Sequence, residues 1–209
     1  MKKKINICYI DDRIDNMLSR YLDQYCKEQN QLKNFKYDLE FFEYAFENTD
    51  NYKTLLSNNI INKSNIIVID SRLFENESST LSKFTGEQFK IILRQILPFI
   101  KTIVISQNAS GSDSLTVKKF QATGYNNNIK ASQKYYAEEL AEKLYINILA
   151  TIEEFEVISQ LEVDNEVDPI LLGTIQTTIE GIQDTALFEK EDLDKLIDLF
   201  NEVKIKYEN

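Results

Sequence analysis

The sequence predicts an α/β protein with five parallel strands and helices on both faces of the sheet. Three observations carry that prediction. Short apolar runs rich in β-branched residues, such as "NIIVID" at Asn65–Asp70 and "KTIVIS" at Lys101–Ser106, read as strands covered on both faces. Amphipathic segments separate these runs, and five such alternations imply a parallel sheet. Polar residues capable of chemistry stand at the carboxyl ends of the strands, where sheets of this kind bind ligands.

The elements follow in order. Ile5 to Ile10 is the first strand and stops at two adjacent aspartates, Asp11 and Asp12. Like charges side by side at the end of a buried strand are costly unless a cation sits between them or water reaches them. "RIDNMLSRYLDQYCKEQ" has Ile14, Met17, Leu18, Tyr21, Leu22 and Tyr25 at helical spacing. A second strand is expected at Tyr37–Tyr44, a short helix in "YKTLLSNNII", and the third strand at Asn65–Asp70. The polar stretch "SRLFENESSTLSKFTGE" is long enough to be a functional loop. The helix in "EQFKIILRQILPFI" ends near Leu97, before Pro98. After the fourth strand, "GSDSLTVKKFQATG" reads as a helix closed by Gly124, and "YNNNIKAS" as a weaker fifth strand. A long helix is expected from about Gln133 to Leu161, with Tyr136, Leu140, Leu144, Ile148 and Ile152 forming an apolar stripe. Asp168 and Pro169 then mark the start of further helices.

Composition excludes several function classes. The chain of 209 residues has no histidine, which removes Ser-His and Cys-His nucleophiles and the usual histidine-containing zinc sites. Its two cysteines, Cys8 and Cys26, are expected to be reduced thiols in a cytoplasmic protein. No apolar run approaches the length that spans a bilayer. The net charge is −10, and from Thr151 onward about 16 acidic residues face about four basic ones. A nucleic-acid reader needs the opposite sign, so this tail is expected to meet protein rather than DNA.

Asp11, Asp12, Asp70, Ser106 and Lys130 each stand at an expected strand end. Three carboxylates, a hydroxyl and an amine would gather in one crevice, and the aspartate pair could share a divalent cation with Asp70. Singly, each has an ordinary reading: Asp11 could cap the first helix, Ser106 could be a strand-end hydroxyl, and Lys130 a solvated charge.

Together, in order, these residues resemble the response regulator receiver domain over roughly residues 4–147. The matching elements are "DD", the aspartate of "IIVIDSRL", the serine of "IVISQN" and the lysine of "NNIKAS". The resemblance implies a flavodoxin-like receiver with strand order 2-1-3-4-5 over residues 1–147. An acidic helical extension over 148–209 would serve output, interaction or dimerisation. It also implies that Asp70 accepts a phosphoryl group from a histidine kinase or phosphotransfer protein. Mg²⁺ would be held by Asp12 and Asp70 directly, by Asp11 through water, and by the backbone carbonyl of Arg72. Lys130 would pair with Asp70 and Ser106 would act as the switch. Beyond self-catalysed phosphotransfer and dephosphorylation, no enzyme activity is implied. Expected partners are the phosphodonor, a downstream protein and a possible second copy, with no nucleic acid or membrane. The alternatives are a degenerate receiver acting as a scaffold without phosphorylation, and a transcriptional regulator. Asn127, Ala131 and Gln107 depart from the family pattern, and the loop after Asp70 is longer than usual.

Overall fold

The computed structural model describes residues 4–47, 49–50, 52–73, 85–107, 116–122 and 128–164. Five parallel strands lie in the order β2-β1-β3-β4-β5. They are β1 (Lys4–Asp11), β2 (Asp38–Ala45), β3 (Ile66–Asp70), β4 (Lys101–Ser106) and β5 (Thr116–Lys118). The helices are α1 (Asn16–Leu32), α2 (Tyr52–Leu56), α3 (Asn59–Asn62), α4 (Gly86–Ile96), α5 (Asn128–Glu139) and α6 (Ala141–Asp164). This is the expected doubly wound, receiver-like fold with its strand order. The further helices expected from Asp168 onward lie outside the described residues.

Strand alternation divides the core in two. Ile5, Ile7 and Tyr9 of β1 with Ile66 and Val68 of β3 face α1, α5 and α6. Cys8 and Ile10 with Ile67 and Ile69 face the other layer, where Leu55, Ile61, Phe89, Ile92 and Leu93 pack. Every residue of β3 is buried, as its unbroken apolar run requires. In α1, Leu18, Tyr21, Leu22, Tyr25 and Cys26 form the buried face. Asp15 caps its start by accepting from the Met17 N–H. Thr85 and Gln88 close a capping box at the start of α4.

The expected stripe on the last helix is real, and the chain itself covers it. Tyr136, Leu140, Leu144 and Ile148 are fully buried against the sheet and α1. The helix is divided into α5 and α6 at Leu140, although the Leu140 N–H still bonds the Tyr136 carbonyl and the Leu144 N–H the Leu140 carbonyl. Packing continues past residue 147: Phe155 meets the Tyr37 ring edge-on at 5.5 Å, and Glu154 pairs with Lys101.

Two expectations beyond β4 are corrected. The segment expected to be helical contains β5 instead, with Thr116, Val117 and Lys118 paired to Val104, Ile105 and Ser106. The segment expected to be the fifth strand, around "YNNNIKAS", enters α5 at Asn128. Asparagine is a poor strand former, and the open edge of β4 was satisfied by the nearer β-branched pair Thr116-Val117. Only residues 107–115 separate the two strands, fewer than the dozen or more that a helical crossover usually spans. Val117 alone of β5 is buried. Thr116 and Lys118, polar residues, take the other face, where no described helix lies between β4 and β5.

Candidate functional site

The strand order reverses between β1 and β3, and a crevice opens at their carboxyl ends. Asp11 ends β1, Asp70 ends β3 and Ser106 ends β4. One carboxylate oxygen from each of Asp11, Asp12 and Asp70 lies within 4.8 Å of the others. The three carboxylates expected to meet do meet.

The ammonium among them is not Lys130. That side chain lies exposed on the first turn of α5. Lys119, the residue after β5, takes the place instead. Its Nζ lies 2.8 Å from Asp11 Oδ2 and 3.7 Å from Asp70 Oδ1. The displacement follows from the corrected strand: the chain leaves the sheet after Lys118, so the next side chain projects over the strand ends. Of the departures noted beside Lys130, Asn127 lies outside the described residues and Ala131 lies on α5. Measured from Lys119, the same positions are Thr116 and Phe120. The described residues contain no cis peptide bond.

Asp11 is 1% exposed and heavily engaged. Its Oδ1 accepts from the Arg13 N–H at 3.0 Å, and its Oδ2 accepts from the Tyr9 hydroxyl and from Lys119. Asp12, next in sequence, is exposed at the mouth of the crevice. Asp70 Oδ2 accepts from the Arg72 N–H at 3.1 Å. The Asp70–Ser71 backbone is held from two sides. The Ser71 N–H bonds the Ile105 carbonyl and the Ser71 carbonyl accepts from the Gly86 N–H. A β-carbon at Gly86 would lie 2.5 Å from the Asp70 carbonyl oxygen, so only glycine lets α4 approach this closely. Ser106 is buried, and its hydroxyl lies 3.0 Å from that of Ser71.

The electrostatics show an excess of negative charge. Burial raises the Asp70 carboxyl above its ordinary range; Lys119 opposes the shift, and the charges of Asp11 and Asp12 add to it. Asp12 is raised by desolvation, then by its hydrogen bond to Asp11 and that group's charge, against the pull of Arg13. Burial alone would lower the Lys119 ammonium, but its bond to Asp11 and the charges of Asp70 and Asp11 outweigh it and raise its pKa. One ammonium for three carboxylates leaves room for a hard divalent cation, for which oxygen ligands on this scale fit Mg²⁺.

Sequence reasoning missed Lys119, Tyr9 and Ser71. Lys119 was the findable one: in "TVKK" a β-branched pair is followed by two lysines, as at the end of a short strand. Tyr9 is one residue of an expected strand, and nothing in the sequence sets it or Ser71 apart.

Neither a protein-family model nor a curated protein sequence matches the chain. Among solved structures, it is similar to RcsB from Salmonella enterica serovar Typhimurium, bound to promoter P1flhDC in the presence of phosphomimetic BeF3⁻. The two are 14% identical, with a TM-score of 0.35 over 94% of this chain and 96% of that one. The receiver-like fold stands on the sheet order itself.

Proposed function

We propose that this chain is a response regulator that accepts a phosphoryl group on Asp70. One observation carries the reading: the Lys119 ammonium lies between Asp11 and Asp70, with Asp12 beside them, at the ends of adjacent parallel strands. In the proposed step an Asp70 carboxylate oxygen attacks the phosphorus of a phosphohistidine on a partner. The P–N bond breaks, a P–O bond forms, and the histidine nitrogen leaves with its electron pair. The chain has no histidine, so the donor must be another molecule. Lys119 pairs with an oxygen of the transferred group, and Ser106 gives up its contact with Ser71 to bond another. Asp12, Asp70 and the Arg72 carbonyl would hold Mg²⁺, with Asp11 acting through water; bound there, the cation would offset the phosphoryl charge. The only catalysis proposed is this self-phosphorylation and the later hydrolysis, in which water takes the group as inorganic phosphate and restores the Asp70 carboxylate.

The donor is read as a histidine kinase or phosphotransfer protein, and the output as contacts with a downstream protein. About 12 excess negative charges from Thr151 onward oppose a phosphate backbone. Among the described residues no helix is long and apolar enough to cross a membrane. Two buried free thiols suit a reducing, cytoplasmic setting.

The test is intact-mass measurement after incubation with Mg²⁺ and acetyl phosphate. Wild type should gain one phosphoryl group and Asp70→Asn none. A scaffold that never carries the group is the second reading, favoured by the short β4–β5 connection and by the Ser106 hydroxyl already engaged with Ser71. No labelling of wild type under any phosphodonor would select it. Salt-sensitive binding of duplex DNA would overturn the assignment to protein partners.

A further inference from the structure

Tyr9 is fully buried in β1, yet its hydroxyl reaches the crevice. Tyr9 and Asp11 are two apart on one strand and share a face, so the phenol stands directly beneath the carboxylate. The direction of its bond is fixed. The Asp15 N–H points at the phenol oxygen at 3.4 Å and can only donate, so the hydroxyl proton goes to Asp11 Oδ2.

Asp11 therefore accepts from the Arg13 N–H, the Tyr9 hydroxyl and the Lys119 ammonium, and Asp12 bonds it as well. A carboxylate offers about four lone-pair sites, and at 1% exposure little of Asp11 is left for anything else. Asp12 is exposed, and among the described residues Asp70 accepts one backbone N–H, from Arg72 at 3.1 Å, with Lys119 3.7 Å away. The number of carboxylates that can touch a cation is thus set by what holds Asp11 back. Mg²⁺ keeps several waters and is served by one or two carboxylates, whereas Ca²⁺ takes six to eight oxygen ligands and gains from a third.

We propose that Tyr9 is the specificity-determining positioning residue of the cation site: by donating to Asp11 it withholds the third carboxylate and favours Mg²⁺ over Ca²⁺. This rests on reading the acidic crevice as a divalent-cation site. Removing the hydroxyl leaves the ring packing intact and loosens Asp11 Oδ2, which then keeps only the mobile Lys119 ammonium, while Oδ1 keeps the Arg13 N–H.

The test is titration of the full chain with Mg²⁺ and with Ca²⁺ by calorimetry, for wild type, Tyr9→Phe, Asp11→Asn, Asp12→Asn and the Tyr9→Phe/Asp11→Asn double variant. Tyr9→Phe should tighten Ca²⁺ relative to Mg²⁺ by about fivefold, and the double variant should lose that gain. Asp11→Asn alone should weaken Mg²⁺ much less than Asp12→Asn, an arm that does not require Tyr9→Phe to fold. An unchanged Ca²⁺/Mg²⁺ ratio in Tyr9→Phe, or equal losses in Asp11→Asn and Asp12→Asn, would overturn the role of Tyr9 while leaving the cation site in place. Wild type that binds neither ion would overturn both.

Discussion

The two sides of the sheet are built on different principles. At β1 and β3, the buried apolar residues alternate between the two cores, and both strands are paired on both sides. At β5, three residues pair with one neighbour and a single valine is buried. Yet the charge that organises the crevice comes from the weak side, because Lys119 follows β5. The core draws mainly on the centre, whereas the site draws on both sides. The centre fixes where the carboxylates stand, and the edge supplies the cation that lets them stand together.

The largest expected effect comes from cutting that link. Lys119→Ala should cost about 3–5 kcal/mol, since it leaves buried Asp11 without its ammonium partner. It should also abolish phosphoryl transfer to Asp70. Lys130→Ala, on the exposed turn of α5, should change stability by less than about 0.5 kcal/mol and leave labelling intact. Urea midpoints and acetyl phosphate labelling of both variants check this, and equal losses would return the site lysine to dispute.

Packing separates the two sides next. Ile67→Ala, in the centre of β3, should cost about 2–5 kcal/mol. Val117→Ala should cost about 1–2 kcal/mol, from two methyl groups lost at an edge. If chemical denaturation gives the same loss for both, β5 is part of the structural core after all.

Between these sides lies Gly86, where α4 touches the backbone of Asp70. Alanine normally suits a helix better than glycine. Here the added carbon would meet the Asp70 carbonyl oxygen at 2.5 Å, so Gly86→Ala should instead destabilise by about 1–3 kcal/mol. Slower labelling of Asp70 should accompany the loss. A stabilised variant with normal labelling would mean that the contact relaxes freely.

What the sequence revealed follows the same division. β3 and β4 were legible because a buried strand must be a short, β-branched, uncharged run, and "IIVI" and "TIVI" are nothing else. The two aspartates and Asp70 followed from them, since a charge that ends such a run has to face the crevice. β5 was illegible because one buried valine makes no pattern. Gly124 also offered a plausible helix stop, which drew the surrounding residues into a helix and moved the strand, and with it the lysine, eleven positions along the chain. The role of Tyr9 depends on a contact between two strand neighbours and Asp15, which no spacing rule distinguishes from ordinary core packing.

The smallest effect concerns the two thiols, one on each side of the sheet. Cys8 lies on β1 in the layer of α4, and Cys26 on α1 in the layer of α6. Burial pushes each from its ordinary 9.0 up to about 12. The folded protein therefore keeps both protons at a pH where the unfolded chain has released them. Stability from this source is complete below about pH 9 and falls as pH rises toward 12, because the unfolded state then binds fewer protons than the folded one. The loss should be on the order of 1 kcal/mol per thiol by pH 10. Buried tyrosines such as Tyr21 and Tyr25 push in the same direction, so the thiols must be isolated by substitution. Cys8→Ala and Cys26→Ala should each flatten the fall in urea midpoint between pH 8 and pH 10, measured against wild type. In native protein at pH 8 a thiol reagent should modify neither residue quickly. Rapid modification of Cys26 alone would show that α1 opens independently of the strands, and would make the helix layer a weaker region than the sheet it covers.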